Sequence, residues 1–453
     1  MYSSRKIYIG NLALGGDAPL RLQSMTNTNT LDVKSSLAQV IRIIEAGADM
    51  VRLTTQGIKE AEALALIKKE LWKAGFDTPL IADVHFNPAV AELAAGIVSK
   101  VRINPGNYAD KRASFSNTEL KEREYAAELE RIHARLLPLV NKCISCGTAI
   151  RIGVNHGSLS DRIMTRYGNT PLGMAVSAME FIRIMAAENF PKLVLSMKSS
   201  NSLIMIEATR LLVKLMQEEG YAWPLHLGVT EAGEGEDGRI RSALGIGTLL
   251  REGIGDTIRV SLSEAPEDEI PVAVKIADAA ATASKNIQHK KITGSVLRLK
   301  YDIKDREDLT IKASVDSSRE LTGRKATDLE IDNGDNLPAE KIQSIKDGIL
   351  QAARIKISRN DYISCPTCGR TQFNLAAAVE RVKKATSHLR GLKIAIMGCI
   401  VNGPGEMADA DYGYIGSGKG RVHIYRGKEA IFKNIPEDEA IDKLLQLISE
   451  THK

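Results

Sequence analysis

From residue 20 to 285, short β-branched runs alternate eight times with amphipathic runs of helical period. The strand-like runs are RLQS (21–24), MVRLTT (50–55), PLIADV (79–84), KVRI (100–103), AIRIGV (149–154), KLVLSM (192–197), PLHLGV (224–229) and TIRVS (257–261). Between them lie segments such as SSLAQVIRIIEAG and SAMEFIRIMAAEN. Their apolar residues recur at i, i+3, i+4 and i+7, the spacing of a helix face packed on a sheet. Eight β-then-α units over about 265 residues predict an α/β chain folded as a (β/α)8 TIM barrel. A doubly wound open sheet is the competing arrangement. It usually has fewer units and a Gly-rich first turn, and no such turn is found here.

Charged residues stand where these strands end. Arg52, Arg102, Arg151, Lys198 and Arg259 lie in or just after apolar strands. Asp83 and His85 follow the third strand, Asn104 the fourth, Asn155 and His156 the fifth, and Glu231 the seventh. The C-terminal ends of barrel strands line one mouth, where barrel active sites lie. A single arginine can pair with a nearby aspartate and mean nothing more. Five cations brought to one mouth repel each other unless an anion lies among them. The planar guanidinium fork suits phosphate oxygens. The pattern predicts a site for an anion of two or more charges, most simply a diphosphate. His85, beside Asp83, is read as a hydrogen-bonding or proton-transfer candidate. His156, His226 and His423 are read as structural.

Composition narrows the class. In 453 residues the net charge is +5, with lysine and arginine interspersed among acids. That balance argues against nucleic acid or a membrane surface as partner. No uninterrupted apolar run is long enough to span a bilayer. The start, MYSSRKIYIGN, lacks the apolar core of a signal peptide, so a bacterial cytoplasmic location is expected. Five cysteines make no disulfide scaffold. Clustered in a chain without a secretion signal, they point to metal or redox chemistry.

After residue 355 the pattern changes. CPTCGR (365–370) leads into a helix, NLAAAVERVKKATSH, then a strand, LKIAIM, then GCIVNGPGE (398–406). Short strands (DYGYI, RVHIY, EAIFK) and a terminal helix complete a small α+β domain. Cys365, Cys368 and Cys399 are one thiolate short of the usual four. A zinc ribbon normally adds a second CxxC or a histidine pair, whereas this loop ends in Glu406. Carboxylate is a poor fourth ligand for a structural thiolate zinc site. On a [4Fe–4S] cluster it would leave one iron exchangeable and ready for a substrate oxygen. Gly403 and Gly405 let backbone approach closely. The residues alone leave zinc and iron–sulfur both open, and favour iron–sulfur.

The pairing of CPTCGR with GCIVNGPGE resembles the 4-hydroxy-3-methylbut-2-enyl diphosphate synthase family, iron–sulfur enzymes of the non-mevalonate isoprenoid pathway. The barrel resembles it too, in QSMTNT (23–28), VRLTT (51–55), ADVHF (82–86), VRINPGN (101–107), RIGVNHGSL (151–159), LHLGVTEAG (225–233) and GIGDTIRVSL (253–262). The resemblance implies a [4Fe–4S] cluster on Cys365, Cys368, Cys399 and Glu406. It implies reduction of 2-C-methyl-D-erythritol 2,4-cyclodiphosphate by electrons from reduced flavodoxin or ferredoxin. It matches Arg52, Arg102, Arg151, Lys198, Arg259 and Ser261 to the diphosphate site, and Glu231 to the catalytic acid. Asp83 and His85 join the catalytic candidates, and Asn104 and Asn155 the substrate-binding ones.

Two features depart from the family's short form. About 70 residues separate barrel from cluster domain, where the short form is expected to have a brief linker. They contain strand-like LRLKYDI and TIKASVD, a polar stretch TDLEIDNGDNLPAEK, and a helix. A second insertion, roughly 108–146, carries a charged helix and CISC, whose Cys143 and Cys146 are read as free thiols. GSGKG (416–420) lacks phosphate-loop spacing and is read as a hairpin turn. The domains are expected at 1–285 (barrel), 286–350 (reduced insert of the family's long form) and 351–453 (cluster domain). So small an insert cannot fold as a spacer barrel, which needs roughly 200 residues or more. The resemblance implies that in the short form the cluster domain of one chain closes on a partner's barrel, and that the long form's middle domain is a spacer taking the partner's place. A homodimer whose sites are shared between two chains is therefore expected. Two other readings stay open: a different TIM-barrel enzyme acting on a phosphorylated substrate with structural zinc, and a non-catalytic electron carrier or scaffold.

Overall fold

The computed structural model describes residues 2–84, 86–109, 120–282, 289–365, 371, 373–399, 407 and 410–451. The chain opens with an antiparallel hairpin, β1 (Ile7–Ile9) and β2 (Leu12–Leu14). Eight parallel strands follow: β3 (Arg21–Met25), β4 (Met50–Thr55), β5 (Leu80–Val84), β6 (Lys100–Ile103), β7 (Ala149–Asn155), β8 (Leu193–Lys198), β9 (His226–Leu227) and β10 (Thr257–Ile258). Their order is β8-β7-β6-β5-β4-β3-β10-β9. A parallel bridge between Leu195 and Leu225 joins the two ends, so the sheet is a closed barrel. These strands read as continuous apolar runs because helices cover their outer faces and side chains fill the lumen. Every residue of β4 and β7 is buried.

The hairpin plugs the N-terminal end of the barrel. Ile7, Ile9 and Leu14 pack on Met50, Ile81, Ala149 and Val194. Gly15 makes the return possible: its φ is +79°, and a Cβ there would stand 2.4 Å from the Arg5 carbonyl. The charged segment of the second insertion is a helix, Glu122–Cys146, on the barrel's outside. Its Cys143 is buried, and burial pushes that thiol up to about 12. Cys146 is exposed, and both are free.

The segment between barrel and C-terminal domain is a layered unit of its own. β11 (Lys290–Thr293) pairs antiparallel with β12 (Val296–Lys300), which pairs parallel with β13 (Asp328–Asp332). The expected strand TIKASVD is instead part of a helix, Arg306–Thr322. Its β-branched residues suggested extension. Asp305, however, caps the N-terminus, accepting from Asp308 N–H, and Leu309, Ile311, Ala313, Val315 and Leu321 are all buried against neighbouring elements. Conversely DLEID, read as part of a polar stretch, is β13, with Leu329 buried. The unit buries its apolar residues against the barrel helix Gly235–Leu250. Close approach is needed there: a Cβ on Gly247 would lie 2.8 Å from Val315, and one on Gly348 2.6 Å from Ile240.

The C-terminal domain is a five-stranded sheet, β14 (Asp361–Ser364), β15 (Lys393–Met397), β16 (Tyr412–Gly418), β17 (Arg421–Arg426) and β18 (Glu429–Pro436), in that spatial order. The first three are parallel and the last two return antiparallel. Helices Leu375–Thr386 and Ala440–Thr451 cover one face. GSGKG is the β16–β17 turn, with Gly420 at φ +65°. Among the described residues, no helix is long and apolar enough to cross a membrane.

Candidate active site

The barrel's register gathers the strand-end cations. Asp83 on β5 lies opposite Arg102 on β6, which lies opposite Arg151 on β7. Asn155 lies opposite Lys198 on β8. Residues level with each other on neighbouring strands share a side of the sheet. Arg52, Arg102, Arg151, Lys198 and Arg259 are all buried. Electrostatics agrees with convergence. Burial, then the charges of Arg52 and Arg102, push the Arg151 guanidinium well below its ordinary range. Burial, then Arg151, Arg52, Arg259 and Arg102, push the Lys198 ammonium down likewise. Such mutual repulsion is what an anion relieves.

Each cation has a distinct setting. Arg102 donates to Asp83 Oδ1 at 3.1 Å, to the Gly153 carbonyl at 2.9 Å and to Asn155 Oδ1 at 3.4 Å. Gly153 is required beneath it, since a Cβ would stand 2.6 Å from Arg102 Nε. Gly228 makes the same room for Lys198 Nζ, also 2.6 Å from where its Cβ would be. Arg151 donates to Ser196 Oγ at 3.1 Å, while its Nε and Nη2 have no hydrogen-bond partner. Arg259 is held by both oxygens of Glu269, at 2.9 and 3.0 Å. Glu269 is fixed in turn by Ser24 Oγ at 2.7 Å. Asn104 caps the next turn through Gly106 N–H and donates to Ser158 Oγ at 2.7 Å. Ser261 is buried just past β10.

Sequence reasoning missed Glu269 and Lys100. Glu269 opens a helix rather than ending a strand, so no strand-end rule finds it. Lys100 had a signal: two residues before Arg102, it shares that face by the strand's period of two. It is fully buried, and burial, then Arg151 and Arg52, push its ammonium well down. His226, read as structural, is buried within the barrel. Burial, then Lys198 and Arg151, push its imidazole down and keep it neutral.

Glu231 sits past β9 at φ +49°, a left-handed backbone that a glutamate adopts only under constraint. Next to it the barrel meets the C-terminal domain. Ala232 forms a parallel bridge with Ser364, the last residue of β14. Ser263 Oγ and Ser364 Oγ are 3.1 Å apart. Arg241 donates to the Tyr362 carbonyl at 2.7 Å and pairs with Asp361 at 2.5 Å, and Lys383 reaches Glu234 at 2.8 Å. Cys365 follows directly, beside the barrel mouth. Its Sγ accepts from the Gly398 N–H at 3.2 Å. Cys399 follows β15, the parallel neighbour of β14, so both thiols stand at one end of the sheet. Two thiols there, one receiving a backbone N–H, suit a group bound through thiolates. His85, Cys368 and Glu406 lie outside the described residues.

In this chain the C-terminal domain stands at the mouth of its own barrel. The junction of cluster domain and barrel mouth is made within one chain. The insert does not have to be a barrel to achieve this. It packs on the barrel's side and delivers Asp361 directly to Arg241.

The chain matches the GcpE TIM-barrel domain over residues 4–274 and the GcpE protein C-terminal domain over residues 361–450. A 4-hydroxy-3-methylbut-2-en-1-yl diphosphate synthase (flavodoxin) of Parabacteroides distasonis is 42% identical over 603 aligned positions, covering 99% of this chain and 98% of that protein. The protein of the same name from Phocaeicola vulgatus is 42% identical over 595 positions, covering 98% and 97%. A 4-hydroxy-3-methylbut-2-en-1-yl diphosphate synthase (ferredoxin) of Prochlorococcus marinus is 44% identical over 451 positions, covering 99% of this chain and 93% of that protein. The two longer alignments contain positions that this chain of 453 residues cannot fill.

Proposed function

This chain belongs to the GcpE family, and we infer that it is an oxidoreductase of isoprenoid biosynthesis. It converts 2-C-methyl-D-erythritol 2,4-cyclodiphosphate to (E)-4-hydroxy-3-methylbut-2-enyl diphosphate. Two electrons enter from reduced flavodoxin or ferredoxin. The ring C–O bond to phosphate breaks to leave a linear diphosphate, and a hydroxyl leaves as water after taking a proton. The observation that carries this reading is the convergence of five buried cations in a barrel whose mouth is met by the strand leading to Cys365.

Roles follow from the geometry. Arg52, Arg102, Arg151, Lys198 and Arg259, with Ser261, hold the diphosphate. The half-unpartnered guanidinium of Arg151 offers donors already aimed inward. Asp83 and Glu269 position Arg102 and Arg259 by fixing their guanidinium planes. Glu231 gives the departing hydroxyl its proton, and its constrained backbone fixes that carboxyl at the junction. Asn104 and Asn155 contribute to substrate binding, and His85 is kept as a proton-transfer candidate. A [4Fe–4S] cluster on Cys365, Cys368, Cys399 and Glu406 supplies single electrons and a Lewis-acidic iron when bound. The Ala232–Ser364 junction excludes water from the space between. One chain completes this site, so a homodimer is not needed to build it. The enzyme works in the bacterial cytoplasm, where soluble electron carriers reach it.

Anaerobic purification followed by turnover with a chemical reductant tests the reading. A brown protein that consumes the cyclodiphosphate is expected, and Cys399→Ser should be colourless. A colourless, zinc-containing parent protein without turnover would return the barrel to another phosphorylated substrate.

A further inference from the structure

One end of the β16–β17–β18 sheet carries a basic rim that the chemistry above does not use. Lys419 and Arg421 flank the β16–β17 turn, and Lys433 lies on β18; all three are exposed. A bulge brings them together. The β17–β18 register shifts between Val422 and Ile424, and Asn434, at φ +54°, fills the gap. Asn434 N–H donates to His423 Nδ1 at 2.7 Å, and Arg421 Nη1 donates to the Asn434 carbonyl at 3.1 Å. Burial, then the Lys433 charge, pushes the His423 imidazole down. Among the described residues, no carboxylate pairs with Lys419, Arg421 or Lys433. The nearest acids are Glu437, whose N–H donates to the Gly420 carbonyl at 3.1 Å and whose carboxylate is taken by Arg381, and the exposed Asp438 and Glu439 that follow it. The rim also lies at the cysteine end of the domain. Gly416 packs so tightly under it that a Cβ would stand 2.6 Å from the Gly398 carbonyl, one residue before Cys399.

We propose that this rim, Lys419, Arg421 and Lys433 around His423, is the docking surface for a small acidic electron-carrier protein of the flavodoxin or ferredoxin kind. The proposal rests on the function inferred above. An electron donor must approach the thiolate-bound group from the face that the barrel does not cover. The barrel meets this domain through β14, at Ser364, and the rim stands across the sheet from that contact, on the antiparallel strands. Unpaired exposed cations raise the local concentration of an acidic partner and steer its approach without needing a deep groove.

The holoenzyme carrying Lys419→Glu, Arg421→Glu and Lys433→Glu together tests this, with Arg426→Glu at the far end of β17 as the charge control. Turnover is driven either by reduced flavodoxin or ferredoxin or by a small chemical reductant. At low salt, kcat/KM for the carrier should fall on the order of ten-fold to a thousand-fold in the triple variant. Added salt should narrow the gap. Turnover with the small reductant should stay at the parent value, which also shows that fold and cluster are intact. Arg426→Glu should behave like the parent. Equal carrier kinetics in parent and triple variant would overturn the proposal, and so would an equal loss in Arg426→Glu. Loss of self-association in the triple variant with unchanged carrier kinetics would make the rim a contact between copies instead. A parent holoenzyme inert to the small reductant as well would defeat the functional reading itself, and the docking surface with it.

Discussion

Lys198 and Arg151 are cations kept where a cation is least at home. Burial and four like charges depress the Lys198 ammonium, so its proton is loosely held until an anion arrives. A diphosphate should raise that affinity and draw a proton from solvent. Calorimetric titration in two buffers of different ionisation enthalpy should therefore show net proton uptake near neutral pH. Lys198→Met should reduce the uptake, leaving what the likewise buried Lys100 contributes, and a buffer-independent heat for the parent would sink the idea. Glu231 bears on a different step. Glu231→Gln keeps the shape and loses the proton, so anion binding should persist while kcat falls roughly 10²–10⁴-fold. A near-normal kcat would remove the residue from the chemistry. The five cations were legible because a lysine or arginine in an apolar strand breaks its pattern. Glu269 was not, since an acid in the first turn of a helix is what any helix prefers.

At the scale of elements, the barrel strands were readable from continuous β-branched runs. The least regular ones, β9 and β10, came out shorter than their sequence suggested, at two residues each. TIKASVD misled because local β propensity lost to a cap and to burial of the helix among its neighbours. DLEID misled because alternation of one apolar with one acidic residue looks like loop when the strand lies at a sheet edge. Neither error reached the site, which hangs on the barrel and on β14. That strand is anchored by Asp361, paired with Arg241 at 2.5 Å and Arg354 at 2.6 Å. Burial alone would push this carboxyl up. The two guanidiniums outweigh burial and hold it below the usual carboxylate range. A depressed carboxyl stabilises the fold above its unfolded pKa of about 3.9, and the contribution fades as pH falls through the lower folded value. Asp361→Asn should thus cost about 3–5 kcal/mol near neutrality, the usual penalty for breaking a buried pair. Thermal unfolding of parent and variant should converge as pH drops below about 4. A gap constant with pH would show that the carboxylate charge is not what anchors the strand.

For the molecule as a whole, the question is what the insert between barrel and cluster domain does. Arg306 pairs with Glu236 at 2.7 Å, Lys275 with Glu307 at 2.8 Å, and Arg359 with Asp237. The helices Arg306–Thr322 and Ala339–Ala352 both lie against the barrel helix that follows Glu231. The insert is thus clamped to the side of the barrel, next to the loop that Ser364 bridges. A clamp there fixes where the next strand begins and turns a flexible tether into a short lever, which lowers the entropy lost on closing. The resemblance to the short form, together with the insert's size, suggested that two chains share a site. The placement seen in this chain offers a second arrangement, in which a unit too small to be a spacer serves as a bracket. Mixing two defective chains decides the matter. Cys399→Ser keeps an intact barrel, and Glu231→Gln keeps an intact cluster domain. If each chain closes on itself, differently tagged chains co-expressed and purified together should stay inactive, while the parent's specific activity should not change with dilution. Recovery of activity in purified mixed pairs, up to about half of the parent's because one of the two sites would be intact, would show that the bracket opens and that barrels are served by partners.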